Sequence, residues 1–316
     1  MIAPPLLVSF SSIDDYLIAL GPDVRDQYEH EIRALYERGL PPVVSSRCLA
    51  VLFGYSTKFI NVLSQKNKKY YREFTIRKGN KKRKIQAPRV ALKVIQKWFA
   101  FHLAESLEYE DYVFGFVAGR SAVDAARVHC NSAWVYSIDI KDFFPSTNSE
   151  TVRRALLGLG YSEKATDLMT PIFCYGAGLA QGAPSSPVLS NLTLRDVDRE
   201  LKLIADELGA KYTRYADDMV FSGNANYPDG LKERVVDVLQ PTCWSLSEEK
   251  TRLAESGKGQ RLKVHNLLVH GDKPRLTKGY RNKIRAYKHL IDSGRANPED
   301  VARLTGHIKY AESVDD

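Results

Sequence analysis

Two adjacent aspartates between apolar arms constrain this chain more than any other feature. Asp217 and Asp218 follow Tyr215-Ala216, with Tyr212 before them and Met219-Val220-Phe221 after them. This spacing predicts a strand, a tight turn and a second strand, because large apolar flanks indicate that both arms are packed. Adjacent carboxylates repel each other, so a rigid turn that holds them together favours a divalent cation. An exposed turn without a ligand is the alternative.

A third acid follows an apolar run upstream. Asp139 lies in Ser137-Ile138-Asp139-Ile140-Lys141-Asp142, directly after Trp134-Val135-Tyr136. We predict that Asp139 lies on a strand beside the Asp217-Asp218 turn. Nucleotidyl transfer uses two cations roughly 3.5–4 Å apart, and carboxylates from two strands can hold them. The three aspartates therefore form a candidate site for that chemistry.

Charge favours a polyanionic partner. The 316 residues carry a net charge of +8, and the length suggests about two or three sub-domains. Two segments are densely basic, and a solvated charged face is the alternative to phosphate binding for each of them. These segments contain Arg77, Lys78, Lys81, Lys82, Arg83 and Lys84, and then, without one acid, Lys273, Arg275, Lys278, Arg281, Lys283, Arg285 and Lys288.

Cysteine and histidine spacing gives no sign of a structural metal. The four cysteines are far apart, and His265 with His270 indicates strand pairing or RNA contact rather than zinc. Reduced thiols, the lack of an export signal and the lack of ~18–20 consecutive apolar residues predict a soluble, cytoplasmic protein without a membrane partner.

Periodicity along the chain predicts several elements. Residues 1–45 are expected to be a separate helical extension, and residues 45–63 are helix-prone. Residues 70–88 predict a basic β-hairpin with Lys78-Gly79-Asn80-Lys81 as its turn. Amphipathic helices are expected after the hairpin and from Thr277 onwards.

The order of five motifs resembles bacterial reverse transcriptases, above all those of retrons, from about residue 39 to the end of the chain. The motifs are Arg83-x-Ile85-x-x-Pro88, Ile138–Ser146, Gln181–Pro187, Tyr212–Asp218 and Glu249-Lys250-Thr251. The resemblance implies an α+β, right-hand polymerase fold with fingers, an antiparallel palm sheet and a helical thumb. It divides the chain into an extension (1–45), fingers with the basic hairpin (46–130), a palm (131–240), and the palm end with a basic thumb (241–316).

The resemblance assigns the catalytic metal ligands. It implies that Asp139 and Asp217 bridge two Mg²⁺ ions, with Mn²⁺ as an alternative, and that Asp218 is a more weakly bound third acid. The carbonyl of Ile140 completes the coordination shell.

The resemblance also implies a nucleotide site. Arg83, with Lys84 as a weaker candidate, contacts the triphosphate, because a guanidinium can bind phosphate oxygens in pairs. Phe144 crowds the sugar 2′ position and selects deoxynucleotides, unless it is a core residue like Phe143. Gln181 begins a loop against the incoming nucleotide, or an ordinary turn. Lys250 lies near the primer and triphosphate, or is a solvated lysine at a helix end.

Two retron-specific elements depart from the family pattern. Where retron enzymes have Asn-Ala-x-x-His, this chain has Ala125-Ala126-Arg127-Val128-His129, and Val264-His265-Asn266 replaces Val-Thr-Gly. Both regions are linked to recognition of the cognate RNA. RNA contacts are expected from His129 and from the basic thumb residues Arg281, Lys283, Arg285 and Lys288.

The resemblance thus implies an RNA-directed DNA polymerase, a nucleotidyltransferase that uses dNTPs. It copies part of a structured non-coding RNA into RNA-linked single-stranded DNA and works with an effector protein in anti-phage defence. No space is expected after the thumb for an endonuclease or a substantial RNase H domain. A defence reverse transcriptase without a retron RNA and a nucleic-acid-binding scaffold with secondary catalysis are the alternatives.

Overall fold

A computed structural model describes residues 3–79 and 81–315. The helices are α1 (Ile13–Leu20), α2 (Pro22–Glu37), α3 (Ser46–Phe53), α4 (Thr57–Gln65), α5 (Val90–Ser106), α6 (Ala122–Val128), α7 (Phe143–Ser146), α8 (Ser149–Gly158), α9 (Glu163–Phe173), α10 (Ser186–Glu207), α11 (Leu231–Leu239), α12 (Lys278–Asp292) and α13 (Pro298–Asp315). The strands are β1 (Tyr71–Lys78), β2 (Lys81–Pro88), β3 (Trp134–Asp139), β4 (Cys174–Tyr175), β5 (Gly178–Leu179), β6 (Lys211–Tyr215), β7 (Asp218–Gly223), β8 (Arg252–Glu255), β9 (Lys263–Val264), β10 (Leu267–Leu268) and β11 (Arg275–Leu276). Within the described ranges, no helix is long and apolar enough to span a bilayer.

The first compact unit contains Met1–Tyr109, Asp142–Asp196 and Thr242–Trp244. Tyr16 of α1 and Leu35 of α2 belong to the same hydrophobic cluster as Phe99 of α5 and Phe173 of α9. The N-terminal helices are present as predicted, but they share a core with the segment expected to form the fingers. Residue 45 therefore does not separate two compact units, and the division into an extension and fingers stays a prediction.

The basic hairpin of this unit is confirmed. Strands β1 and β2 pair antiparallel from Tyr71 opposite Pro88 to Lys78 opposite Lys81. The predicted turn includes Asn80, which lies outside the described residues. Phe74 and Ile76 are more than two-fifths exposed, so the hairpin presents apolar as well as basic side chains to solvent.

The second compact unit contains Glu110–Lys141, Val197–Pro241 and Ser245–Asp316. Its antiparallel sheet has the strand order β6-β7-β3-β8. Val135 and Val220 on one face join a cluster with Leu267, Ile284 and Val314, which brings the small sheet β9-β10-β11 and the two C-terminal helices against this face. Alternation along β3 leaves Trp134 and Tyr136 on the other face.

A buried ion pair lies beside this sheet. Arg214 of β6 has no exposed surface, and its Nε and Nη2 atoms each donate to Asp198 of α10 over 2.7 Å. The hydroxyl of Tyr212 also donates to Asp198, over 2.8 Å. Two charges are tolerated here because the hydrogen bonds replace much of the lost hydration.

His129 lies in the interior of the same unit. Its Nδ1 atom is 2.8 Å from the hydroxyl of Ser222, and its Nε2 atom is 2.7 Å from the hydroxyl of Thr213. The ring has no exposed surface. This burial contradicts the expected RNA contact of His129, because both ring nitrogens are engaged inside the protein.

Burial makes His129 a source of acid sensitivity. It lowers the pKa of this imidazole to about 3. The folded protein therefore keeps the ring neutral, while the unfolded chain binds a proton below a pKa near 6.5. We expect the free energy of unfolding to fall as the pH drops from about 6.5 towards 3, by up to about 1.4 kcal/mol per pH unit. Denaturant titrations at several pH values measure this slope. His129→Gln should show a shallower slope, and equal slopes would contradict the assignment.

Breaking the buried ion pair should be costly. We expect Asp198→Asn to lower the free energy of unfolding by about 3–5 kcal/mol, because Arg214 keeps its charge without a carboxylate partner. Asp206→Asn on the same helix is the matched control, since Asp206 pairs with Lys202 at the surface. The control should cost less than about 1 kcal/mol. Similar losses in the two variants, measured by urea denaturation, would contradict the distinction.

Candidate active site

The predicted turn between two packed strands is confirmed. Tyr215 and Asp218 form the last pair of β6 and β7, which leaves Ala216 and Asp217 as the two turn residues. Ala216 has a φ of 58°. This left-handed conformation costs an alanine roughly 1–2 kcal/mol, so contacts around the turn must enforce it.

The segment Tyr112–Gly115 supplies part of that enforcement. The amide of Arg214 donates to the carbonyl of Tyr112, and the amide of Phe114 donates to the carbonyl of Arg214, each over 2.8 Å. A Cβ atom on Gly115 would lie 2.1 Å from the amide nitrogen of Ala216. Gly115 is therefore required where the backbone approaches the turn.

The Arg214 guanidinium contacts the turn from inside. Its Nη1 atom donates to the carbonyl of Ala216 over 3.3 Å. The buried Arg214–Asp198 pair thus reaches the residue that directly precedes Asp217. Sequence reasoning gave neither Arg214 nor Asp198 a role. The available signal was an arginine within an otherwise buried strand, which requires an acid nearby.

The sheet brings the predicted acids together. Asp139 ends β3 directly opposite Asp218 of β7, and the amide of Ile140 donates to the carbonyl of Asp217 over 3.1 Å. Asp139 is only 4% exposed. The expectation that Asp139 lies on the strand beside the Asp217-Asp218 turn is confirmed.

A lysine ammonium lies on the most buried of these carboxylates. The Nζ atom of Lys250 is 2.6 Å from Oδ1 and 2.7 Å from Oδ2 of Asp139. Burial, together with the charges of Asp217 and Asp218, raises the pKa of Asp139 to about 6, although the bond from Lys250 opposes this shift. Burial opposes the charged form of Lys250, yet its bond to Asp139 leaves the lysine pKa raised.

This donor set fits a cation. Repulsion among three carboxylates contributes to the raised pKa of Asp139, and a positive charge already contacts both of its oxygens. Among residues 3–79 and 81–315, no three His, Cys, Asp or Glu side chains form a ready-made metal cage. A divalent ion would therefore compete with Lys250 for Asp139.

His265 lies beside the third acid. Its Nδ1 atom is 3.6 Å from Oδ2 of Asp218, and its ring centroid is 5.1 Å from that of Tyr215. His265 and Asn266 form the two-residue turn between β9 and β10, and both have positive φ values. Strand pairing, one of the two interpretations from the sequence, is therefore supported for His265.

Arg83 and Gln181 meet in the first compact unit. The Gln181 backbone exchanges two hydrogen bonds with Gln86, 2.8 and 3.1 Å long. The Gln181 side-chain amide is oriented with its oxygen towards Arg83 and its nitrogen towards Lys84. In this orientation the oxygen accepts from Nε of Arg83 over 3.2 Å, and the nitrogen donates to the Lys84 carbonyl over 3.1 Å. The Lys84 ammonium instead pairs with Glu73 over 2.9 Å.

The two neighbouring phenylalanines differ in burial. Phe143 is 6% exposed, as expected for a core residue. Phe144 is half-buried, and its ring centroid lies 5.3 Å from that of Phe143. Phe144 packs against the core without being fully buried, and its assignment to the sugar pocket stays a prediction.

The basic residues of α12 do not form one surface. Arg281, Arg285 and Lys288 are exposed and follow the i, i+4, i+7 spacing of one helix face. Lys283 lies on a different side, with its ammonium 5.5 Å from the centroid of the Tyr287 ring. Lys288 also pairs with Glu312 over 3.1 Å.

Comparison with known proteins identifies the family. The family described as Reverse transcriptase (RNA-dependent DNA polymerase) matches residues 76–270. The Retron Ec86 reverse transcriptase of Escherichia coli is 30% identical over 250 residues, covering 78% of this chain and 77% of that protein. The Retron Mx65 reverse transcriptase of Myxococcus xanthus is 29% identical over 320 residues, covering 92% and 73%. The Retron Mx162 reverse transcriptase of the same organism is 30% identical over 283 residues, covering 78% of this chain and 58% of that protein.

Solved structures show a weaker likeness. A telomerase from Candida albicans, in complex with a TWJ fragment of telomeric RNA, gives a TM-score of 0.49 at 9% identity, covering 70% of this chain and 50% of the telomerase. A foamy viral protease-reverse transcriptase in complex with double-stranded DNA gives a TM-score of 0.45 at 14% identity, covering 76% of this chain and 36% of the viral protein. At these scores the likeness says nothing about the site. The family match itself confirms the predicted α+β polymerase fold class, and the chain belongs to the reverse transcriptase family, among the retron-type RNA-directed DNA polymerases.

Proposed function

We propose that this polymerase copies part of a cognate structured RNA with the help of Mg²⁺ at Asp139, Asp217 and Asp218. The observation that carries the site assignment is the register of Asp139 with Asp218, with a lysine ammonium on both oxygens of Asp139. A buried carboxylate with two others crowded beside it is a ligand set for hard divalent cations.

Asp139 and Asp217 would hold the two ions, with Asp218 and the Ile140 carbonyl in supporting positions. Bound there, Mg²⁺ would stabilise the charge that develops on the phosphate oxygens and lower the pKa of the attacking hydroxyl. The Lys250 side chain is about half exposed, at 49%, so it can leave Asp139 and turn to solvent. A lysine released in this way could donate a proton to the departing pyrophosphate.

The proposed contacts with the nucleotide and with RNA depend on basic side chains and on one aromatic ring. Arg83 would bind triphosphate oxygens, with its guanidinium oriented by Gln181. Lys84 is a weaker candidate because it would first have to release Glu73. Phe144 would exclude the 2′-hydroxyl of ribonucleotides. Arg281 and Arg285 would contact RNA phosphates, so we propose salt-dependent RNA binding.

The wider role rests on the retron relatives. By analogy with them, we propose that the product is single-stranded DNA joined to its RNA, formed in the cytoplasm. We also propose that the complex acts with an effector protein in anti-phage defence. A defence reverse transcriptase without a retron RNA and a nucleic-acid-binding scaffold are the competing functions.

Substitution of the turn acids tests the polymerase site. We expect Asp217→Asn to reduce primer extension on an RNA template with dNTPs and Mg²⁺ by at least about 100-fold, because a bridging charge is lost. Asp218→Asn should lose less primer-extension activity than Asp217→Asn. Asp237→Asn, an exposed acid on α11, should keep wild-type activity. Background activity in both wild type and Asp217→Asn would favour the scaffold function instead, and a larger loss for Asp218→Asn would reverse the ranking.

Nucleic acid that copurifies with the protein tests the retron assignment. We expect protein expressed with its native flanking DNA to carry RNA covalently joined to single-stranded DNA. Sequencing after separate RNase and DNase digestions measures this product, and Asp217→Asn protein should carry the RNA alone. An active polymerase without any joined RNA and DNA would support the non-retron alternative.

A further inference from the structure

A cavity opens on the sheet face that lies away from the carboxylate of Asp139. Its volume is about 430 Å³, and it lies between strands β3 and β8 and the start of α11. Tyr136 of β3 pairs with Leu253 of the edge strand β8, so both side chains project to this face. Asp139, three residues further along β3, projects to the opposite face. The cavity therefore lies on the other face of the sheet from that carboxylate, and Thr251, which follows Lys250 in the chain, also lines it.

Aromatic rings form one wall of the cavity. The ring of Tyr227 meets Trp134 edge-on at a centroid distance of 5.2 Å and Tyr136 at 5.9 Å. Tyr136 lines the cavity and is only 3% exposed, and its hydroxyl has no hydrogen-bond partner among the residues that the structure describes. Burying an unpartnered hydroxyl is unfavourable, so this oxygen would gain from a hydrogen-bond donor that a ligand brought to the cavity wall.

The cavity carries negative charge on a chain whose net charge is +8. Asp229 and Glu233 line it and are exposed, and no basic side chain among the described residues pairs with either carboxylate. Lys232 also lines the cavity. Burial raises the pKa of Tyr136 to about 12, and the Tyr227 and Glu233 charges add to the shift. The hydroxyl therefore stays neutral, with Glu233 close enough to influence it.

We propose that this cavity binds the guanidinium group of an arginine side chain from a partner protein. A guanidinium can stack on a tyrosine ring and at the same time donate to a hydroxyl and to a carboxylate. Tyr227, Tyr136 and Glu233 provide these three contacts in one place. A lysine ammonium lacks the flat face, and an anion would be repelled by Asp229 and Glu233.

The surroundings favour a polypeptide over a small free cation. The cavity is larger than one guanidinium group needs, and Leu253 at its wall is 37% exposed. Val236, one helical turn beyond Glu233, is 42% exposed. Apolar residues on either side of an arginine could cover these side chains, and buried apolar contact with a central arginine is typical of protein interfaces.

Peptide titration tests the proposal. The probe is a blocked peptide, acetyl-Gly-Leu-Arg-Leu-Gly-amide, and its control carries citrulline, the neutral isostere, in place of arginine. Binding to the full chain is followed by NMR of labelled tyrosine rings. We expect saturable binding of the arginine peptide with a Kd on the order of millimolar, and at least about fivefold weaker binding of the citrulline peptide. Equal binding of the two peptides would overturn the proposal.

Variants locate the binding site on the protein. Glu233→Gln should weaken the arginine peptide at least about fivefold, while Asp237→Asn on the same helix should leave it unchanged. Tyr136→Phe should also weaken binding but should not lower the melting temperature, because it removes an unpartnered hydroxyl. Unchanged affinity in Glu233→Gln would overturn the proposal.

Two further readouts separate the possible failures. Acetyl-arginine amide binding as tightly as the peptide would overturn the assignment to a protein partner and indicate a small cation instead. Glu233→Gln should keep wild-type primer extension, because no residue of the polymerase site is changed. Loss of extension in this variant would overturn the separation of the two sites, and the cavity assignment can fail while the polymerase assignment stands.

Discussion

Repulsion among three carboxylates at the end of two paired strands is the constraint on which this structure depends. Asp139 and Asp218 are directly opposite, and Asp217 lies in the adjoining turn. The buried position of Asp139 makes this repulsion stronger, because little water is available there to screen it. Lys250 offsets part of it through both oxygens of Asp139. Such an arrangement persists only if the backbone around it is held rigidly, and contacts of Gly115 and Arg214 with the turn contribute to that rigidity.

The rigidity comes from interactions that tolerate few substitutions. Gly115 permits the backbone to approach the turn, and the buried Arg214–Asp198 pair holds the carbonyl of Ala216 from the other side. These contacts support the left-handed conformation of Ala216, which an isolated alanine would avoid. A buried ion pair adds less to stability than its short distances suggest, since desolvation offsets most of the attraction. Here its value is that it fixes one arrangement of the turn.

The departures from the retron pattern are compatible with this framework. In this chain, where Val264-His265-Asn266 stands in place of Val-Thr-Gly, His265 and Asn266 form a two-residue hairpin turn with two positive φ values, which asparagine tolerates better than most residues. Ala125 is buried in α6, a helix whose N-terminus is capped reciprocally by Ser121 and Asp124. The two faces of one sheet also differ in chemistry. One face carries the candidate metal ligands, and the other carries an aromatic, acidic cavity.

The sequence by itself determined the turn acids, their partner Asp139, the basic hairpin, the amphipathic helices and the family. These follow from local spacing and from motif order, which do not depend on how distant segments meet. Tertiary structure decided the rest. It buried His129, which had been expected to contact RNA, and it joined the N-terminal helices to the first core. It also paired Lys250 with Asp139 and Asp198 with Arg214, and it brought Gly115 into contact with Ala216. The contacts of Lys250, Asp198 and Gly115 join residues that are well apart in the chain, and the burial of His129 depends on desolvation in an assembled core. A local sequence pattern encodes neither long-range contact nor desolvation.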